Sequence, residues 1–156
     1  MNIIFIWTII ICVITVTIII NRNAKSYVYT LKASNREEYL VVGKVTFKGK
    51  EMSMYITKLE FQDYEFAQTI VKNYQYKATI NNEVLFGFGY NTTNYNLINP
   101  ISIKELMKKM VIDYSDNINI SKEEIINNNV ILEFNFIDTE NNQISKSIEL
   151  IILPEK

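Results

Sequence analysis

The sequence contains no histidine and only one cysteine, Cys12. Without histidine, the chain lacks the Ser-His and Cys-His nucleophile systems, the usual zinc ligand and the simplest general base at neutral pH. Because Cys12 lies in the apolar N-terminal stretch, no disulfide can form within the rest of the chain. A hydrolase that uses carboxylates alone stays open, but the sequence predicts a protein that is not an enzyme and needs no cofactor.

A strong charge of either sign is also missing. The chain has 16 Lys and Arg residues against 17 Asp and Glu residues, a net charge of −1. A nucleic-acid-binding protein needs a basic surface for the phosphate backbone, and no Lys/Arg cluster here stands clear of acidic neighbours. We therefore predict no nucleic-acid partner.

What the sequence does contain is a long apolar run at residues 3–20, IIFIWTIIICVITVTIII. An α-helix of this length, at about 1.5 Å per residue, spans roughly 27 Å, close to the hydrocarbon thickness of a bilayer. In lipid, threonines such as Thr15 can return their hydroxyls to carbonyls of their own helix. The run predicts a transmembrane helix that contacts the lipid bilayer through residues 3–20.

This segment resembles a permanent signal-anchor more than a cleaved signal peptide. A cleaved signal would need a basic start, a shorter apolar core and small residues before the cut. The chain begins Met-Asn, and Arg22 occupies the third position before a cut after Ala24. We therefore predict a single-pass membrane protein.

Two opposing arguments bear on which side of the membrane carries the β domain. Basic residues such as Arg22 and Lys25 follow the span, which by the positive-inside rule favours a cytoplasmic C-terminal domain. Large domains translocate largely regardless of charge, however, and anchored β domains are common in cell envelopes. We expect the domain outside the cytoplasm, with the cytoplasmic side as the alternative.

Alternation of apolar and polar residues predicts β-strands in most of the remaining chain. One predicted strand carries Val41, Val45 and Phe47 on a single face, and Gly49-Lys50 follows as a hairpin turn. The return strand changes phase near Thr57, which predicts a bulge. Residues 64–80 are ambiguous, and residues 94–100 are predicted to be a loop. Residues 130–152 form the clearest hairpin.

Short helices are predicted after two serines, because Ser102 and Ser121 each have the composition of an N-cap. Seven or so strands with one or two helices predict a mainly β fold, an antiparallel β-sandwich of which the immunoglobulin-like form is one candidate. The predicted domains are an anchor at 1–20, a juxtamembrane linker at 21–38 and a β-sandwich domain at 39–153. Alternation of Tyr27, Tyr29 and Leu31 leaves an opening strand as the alternative to the linker.

The candidate partner-binding residues are aromatic. In the segment EVLFGFGY, strand alternation places Phe86, Phe88 and Tyr90 on one face and the glycines on the other. Such a stripe either packs in the core or forms a docking surface. With Tyr95, these residues are the candidates for binding a partner.

The clusters of carboxylate residues are weaker candidates for a functional site. Asp138, Glu140, Asn142 and Glu149 have the spacing of a calcium loop, but Gln143 occupies the position that needs glycine. We expect a polar hairpin tip there and no metal site. The pair Asp113 and Asp116 is expected to be solvated surface.

These observations predict a membrane-anchored, non-catalytic β protein that binds another protein or acts as a structural accessory in the cell envelope. The alternative is a module that binds a small ligand or a cell-wall polymer with its aromatic strand face.

Overall fold

A computed structural model describes residues 25–88 and 96–155, together with Ile10, Ile11, Val13 and Thr15. Nine strands and three short helices follow one another in the two long ranges. In chain order they are β1 (Ser26–Ala33), β2 (Tyr39–Lys48), β3 (Glu51–Phe61), α1 (Tyr64–Gln68), β4 (Ile70–Ile80), β5 (Glu83–Phe88), β6 (Asn96–Ser102), α2 (Ile103–Lys109), β7 (Ile112–Asn117), α3 (Lys122–Asn127), β8 (Val130–Asp138) and β9 (Gln143–Pro154).

The strands form one continuous sheet in the order β5-β4-β8-β9-β1-β2-β3-β7, with β6 as a further partner of β4. Every paired strand is antiparallel to its neighbour. The sheet is nearly closed into a barrel-like shape, and the prediction of a mainly β, antiparallel fold is confirmed. The two ends of the strand order are β5 and β7.

The β2–β3 hairpin shows why this sheet curves. Val41, Val45 and Phe47 are buried as predicted, and Gly49 has a φ of 63° in the turn. Val42 pairs with Lys58 but Gly43 pairs with Ile56, so Thr57 is the extra residue of a bulge. The bulge confirms the predicted change of phase, and bulges of this kind bend a strand and increase its twist.

The core fills the inside of the curved sheet. The Phe61 ring from β3 lies 6.0 Å from the Phe134 ring and 6.2 Å from the Phe136 ring, both from β8. These strands are separated by β9, β1 and β2 in the strand order, so their side chains meet across the interior. Burial of such large apolar side chains is the main stabilising contribution to a fold of this kind.

The sheet also includes residues before Tyr39. Ser26–Ala33 form β1, which pairs with β2 on one side and β9 on the other. The observed structure is therefore the opening-strand alternative. The Asn35 side chain then accepts hydrogen bonds from the backbone N–H groups of Glu37 and Glu38 and shapes the turn into β2.

The predicted loop at 94–100 is wrong, because Asn96–Ser102 form β6 against β4. Pro100 weakens the strand signal in the sequence since proline lacks the N–H of a ladder donor. Strands with a single neighbour tolerate proline, and among the described residues β6 pairs only with β4. Pairing with β4 therefore decides the conformation of this segment.

Both predicted helix caps are confirmed. The Ser102 Oγ accepts from the Glu105 N–H at 3.2 Å, and the Ser121 Oγ accepts from the Glu124 N–H at 3.1 Å. Each bond satisfies one N–H group that the first helical turn leaves without a backbone partner. The ambiguous segment 64–80 divides into the helix α1 and the long strand β4.

Among the described residues, no helix is both long and apolar enough to cross a membrane. Four residues of the 3–20 run are described, and all four are helical. The Thr15 Oγ1 donates to the Ile11 carbonyl oxygen at 2.8 Å, the bond expected of a threonine in an apolar helix. The other residues of the predicted anchor at 1–20 lie outside the described part of the chain.

Candidate functional site at the sheet seam

The candidate site lies where the two ends of the sheet approach each other, a line between β5 and β7 that we call the seam. Within residues 25–88 and 96–155, β5 pairs only with β4 and β7 pairs only with β3. The Phe86 ring from β5 stacks on the Tyr114 ring from β7, with 4.5 Å between centroids and 20° between planes. An aromatic contact therefore connects the two ends of the sheet.

The predicted aromatic residues of β5 are directed towards the inside of the sheet. Phe86 pairs with the buried Ala78 and Phe88 pairs with Tyr76, so both share the face that holds the core. Both side chains are half-buried because they lie at the seam. Tyr90 and Tyr95, the other two candidates, lie outside the described residues.

Phe88 belongs to a cluster of stacked rings. Its centroid lies 5.5 Å from the Tyr74 ring and 5.6 Å from the Tyr76 ring, with planes within 25° and 18°. Tyr76 in turn contacts the buried Phe134 at 5.7 Å. The cluster of Tyr74, Tyr76 and Phe88 is thus continuous with the core through Phe134, and it reaches the seam through Phe88 on β5.

The outer face of β5 contributes an exposed apolar side chain. The register changes between Ala78 and Thr79, which leaves Leu85 as the extra residue and pairs Val84 with Thr79. Val84 is consequently 54% exposed. Asn81 and Asn82 make the preceding turn with φ values of 48° and 66°, and positive φ at both positions is the signature of a type I′ hairpin turn.

The strand β7 is the part of the seam that sequence reasoning missed. Only two residues of this strand, Ile112 and Tyr114, follow the apolar alternation of a β-strand. A pattern this short, between a helix and an asparagine-rich segment, does not indicate a strand. The Ser115 hydroxyl lies 2.9 Å from the Ser53 hydroxyl and donates to the Glu51 carboxylate, also at 2.9 Å. Asp113 and Asp116, expected as solvated surface, are exposed on this strand.

Two tyrosines of the site have a pKa above the usual value. Burial raises the pKa of Tyr76, and repulsion from the phenolate form of neighbouring Tyr74 raises it further. Burial likewise raises the pKa of Tyr114, with a smaller contribution from the negative charge of Asp116. Both phenols therefore stay protonated at neutral pH, and their rings act as apolar surface with a hydrogen-bonding end.

Surface depressions also lie away from the seam. A cavity of about 230 Å³ is bounded by Phe61, Tyr64, Lys104 and Met107, between the end of β3 and the helices α1 and α2. At the start of β1, the Tyr27 ring lies 3.9 Å from the Lys122 Nζ and 5.2 Å from the Lys25 Nζ. These are cation–π contacts of a partly exposed ring, and each such contact contributes about 0.5–1 kcal/mol.

The carboxylate with calcium-loop spacing is engaged by its own turn. The Asp138 carboxylate accepts hydrogen bonds at 2.8 Å from the Glu140 N–H, the Asn142 N–H and the Asn142 side-chain amide. In the part of the chain that the structure describes, no group of three or more His, Cys, Asp or Glu residues could hold a metal ion. This turn therefore offers the chemistry of a hairpin cap.

Comparisons with protein-family models, with curated proteins and with solved structures find no match to this chain. Support for a function therefore comes from the geometry and chemistry of the seam and from the apolar run at 3–20.

Proposed function

We propose that this chain is a single-pass membrane protein whose β domain binds another protein, without catalysis, as an accessory or structural component of the cell envelope. The apolar run at residues 3–20 supports the anchor, because it matches the thickness of a bilayer and carries no charge. The lack of histidine supports a role in binding, because the commonest nucleophile and general-base systems depend on that residue.

The observation that carries the binding role is the seam. Sheet ends that face solvent are the places where proteins accept further chains, and most native sheets protect them. Here β5 and β7 meet through the Phe86–Tyr114 stack, and the exposed Val84 lies on the same strand as Phe86. An end strand that carries an aromatic side chain on its inner face and an exposed apolar side chain on its outer face has the composition of a protein-binding surface.

We further propose that the domain faces the outside of the cytoplasm and that its packing is that of a β-sandwich. Contacts such as Phe61 with Phe134 support two layers, since they join strands from opposite halves of the sheet. Face-to-face packing of two halves over one core is the principle of a sandwich. An immunoglobulin-like arrangement stays a prediction.

A binding module for a small ligand or a cell-wall polymer is less well supported. Sugar rings and flat ligands bind to the open faces of aromatic side chains. The ring of Phe88 is already stacked near Tyr74 and Tyr76, and the ring of Phe86 is stacked on Tyr114. The seam therefore favours a protein partner that packs beside these rings.

The proposal is tested by purifying the full chain in mild detergent from cells in which it is expressed. We expect a second protein to co-purify in a fixed ratio. Val84→Lys should abolish this association, because it places a charge on the exposed side chain of β5. Val42→Lys is the matched control, since Val42 is 48% exposed on β2, which β3 separates from the seam strand β7. Purification of the wild-type chain alone would contradict the proposal.

A further inference from the structure

The strand β7 has one edge without a backbone partner among the described residues. Its other edge pairs with β3 from Glu51↔Asn117 to Ile56↔Ile112. The Ile118 N–H donates to the Lys50 carbonyl oxygen at 3.0 Å, directly opposite in the same register. Hydrogen-bonded and non-hydrogen-bonded pairs alternate along an antiparallel ladder. Ile112, Tyr114 and Asp116 therefore point their backbone groups towards β3.

The alternate residues Asp113, Ser115 and Asn117 consequently point their backbone N–H and C=O groups away from β3. The Asn117 N–H is bonded to the Asp116 carboxylate at 2.7 Å. The N–H groups of Asp113 and Ser115 have no bond within residues 25–88 and 96–155. This spacing of donors and acceptors is the pattern that an added strand requires.

The charge of the seam is of one sign. Glu83 on β5 and Asp113 and Asp116 on β7 are exposed, and neither strand contains a basic residue. None of the three carboxylates forms a salt bridge with another described residue. Two copies of β7 paired edge to edge would bring acidic residues together, which is destabilising. The seam therefore complements a basic segment better than a second copy of this chain.

We propose, building on the protein-binding function above, that the outer edge of β7 accepts an extended basic segment of the partner protein by β-strand addition. The backbone of that segment pairs with Asp113 and Ser115. Its apolar side chains pack beside the Phe86–Tyr114 stack, and a Lys or Arg lies opposite Asp113. Backbone bonds supply the general affinity in such complexes, and the side chains supply the specificity.

The probe is a short synthetic peptide that alternates valine and lysine, labelled with fluorescein, added to the full chain in phosphatidylcholine nanodiscs. Fluorescence anisotropy reports binding, and empty nanodiscs correct for adsorption to lipid. The matched peptide carries glutamate in place of lysine. We expect the glutamate peptide to bind at least about tenfold more weakly because its glutamates lie on the same face as Asp113. Equal binding of the two peptides, or no binding of either, would overturn the proposal.

Two variants of one residue separate the backbone contribution from the side-chain contribution. Ser115→Pro removes an outward N–H and no bond to β3, and proline is tolerated at such edge positions. Ser115→Ala removes the hydroxyl contacts with Ser53 and Glu51 but keeps the N–H. Ser115→Pro should weaken binding of the lysine peptide about tenfold or more, while Ser115→Ala should change it by less than about threefold. Equal effects of the two variants would contradict strand addition.

A charge reversal keeps the test decisive if Ser115→Pro disturbs folding. Asp113→Lys should reverse the preference, so that the glutamate peptide binds more tightly than the lysine peptide; an unchanged preference would contradict the assignment.

Sedimentation of the wild-type chain as a dimer that Ser115→Pro dissociates would instead identify a second copy as the occupant and overturn the proposal. If a partner co-purifies equally with wild type and Ser115→Pro, the binding function stands and the site is wrong.

Discussion

The ring of Phe86 stacks on the ring of Tyr114 although the two residues belong to opposite ends of a nine-stranded sheet. Their centroids are 4.5 Å apart and their planes differ by 20°. Among the described residues, no backbone hydrogen bond joins β5 to β7, and the aromatic stack links these two end strands instead. The stack is therefore both part of the fold and the centre of the seam.

The stack should contribute a measurable coupling energy. We expect Phe86→Leu and Tyr114→Leu each to lower the free energy of unfolding, and the double variant to lose less than the sum by about 0.5–1.5 kcal/mol. Urea unfolding of the full chain in detergent micelles measures the cycle. Val84→Ala is the control, because an exposed side chain on the same strand should change stability by under about 0.5 kcal/mol. If the losses of the two single variants add up to that of the double variant, the stack contributes no coupling energy.

The bulge in β3 depends on a glycine opposite it. A Cβ at Gly43 would lie 2.8 Å from the Tyr55 carbonyl oxygen and 3.2 Å from the Ile56 Cα, so backbone would have to move. Gly43→Ala should therefore destabilise the fold by about 1–3 kcal/mol, the usual cost of overpacking. Gly87→Ala is the comparison, since its Cβ would meet the Tyr76 oxygen at 3.1 Å on an end strand that can shift. Urea midpoints showing an equal or larger loss for Gly87→Ala would contradict this explanation.

Local pattern was sufficient to predict much of the fold. Alternation correctly identified the buried face of β2 and the phase change of β3, because side chains of a strand with one buried face must alternate. Ser102 and Ser121 were predictable as caps since N-capping depends on adjacent residues only. These features require no knowledge of distant contacts.

The features that sequence reasoning missed depend on distant partners. Neither β6, with Pro100, nor β7, with two acidic residues, carries enough apolar residues to indicate a strand, and each forms because β4 or β3 supplies its backbone bonds. Phe86 was predicted as a candidate, but its contact with Tyr114 requires the curvature of the whole sheet. The sequence therefore predicted the part of the candidate site that lies on β5 but not the part that lies on β7.

The turn at residues 138–143 should make the free energy of unfolding depend on pH in the acidic range. Hydrogen bonds from the Asn142 side chain, and then from the N–H groups of Asn142 and Glu140, hold the pKa of the Asp138 carboxyl below its usual value. A lowered folded-state pKa gives a contribution that is complete above the unfolded pKa, about 3.9, and is lost as pH falls through the folded value. The difference in unfolding free energy between wild type and Asp138→Asn should therefore shrink below about pH 4. A difference that is constant from neutral pH to pH 3 would contradict this assignment.

The side of the membrane can be tested with a single cysteine. Apart from Cys12 the chain has none, and the Glu140 side chain is exposed at a hairpin tip without a bond to another described residue. We expect Glu140→Cys in a Cys12→Ser background to react with a membrane-impermeant maleimide on intact cells. The Cys12→Ser chain alone is the negative control. Labelling that appears only after lysis would place the domain in the cytoplasm.

The most direct test of the central claim is photocrosslinking at the seam in living cells. A benzophenone amino acid at position 84 should give one discrete crosslinked product with another protein, because Val84 is exposed on β5, the strand that carries Phe86 to the seam. The same amino acid at position 42, where Val42 is similarly exposed on β2, should give none. A product at position 84 alone supports a membrane-anchored domain that binds its partner at the seam. Products at both positions, or only at 42, would contradict that account.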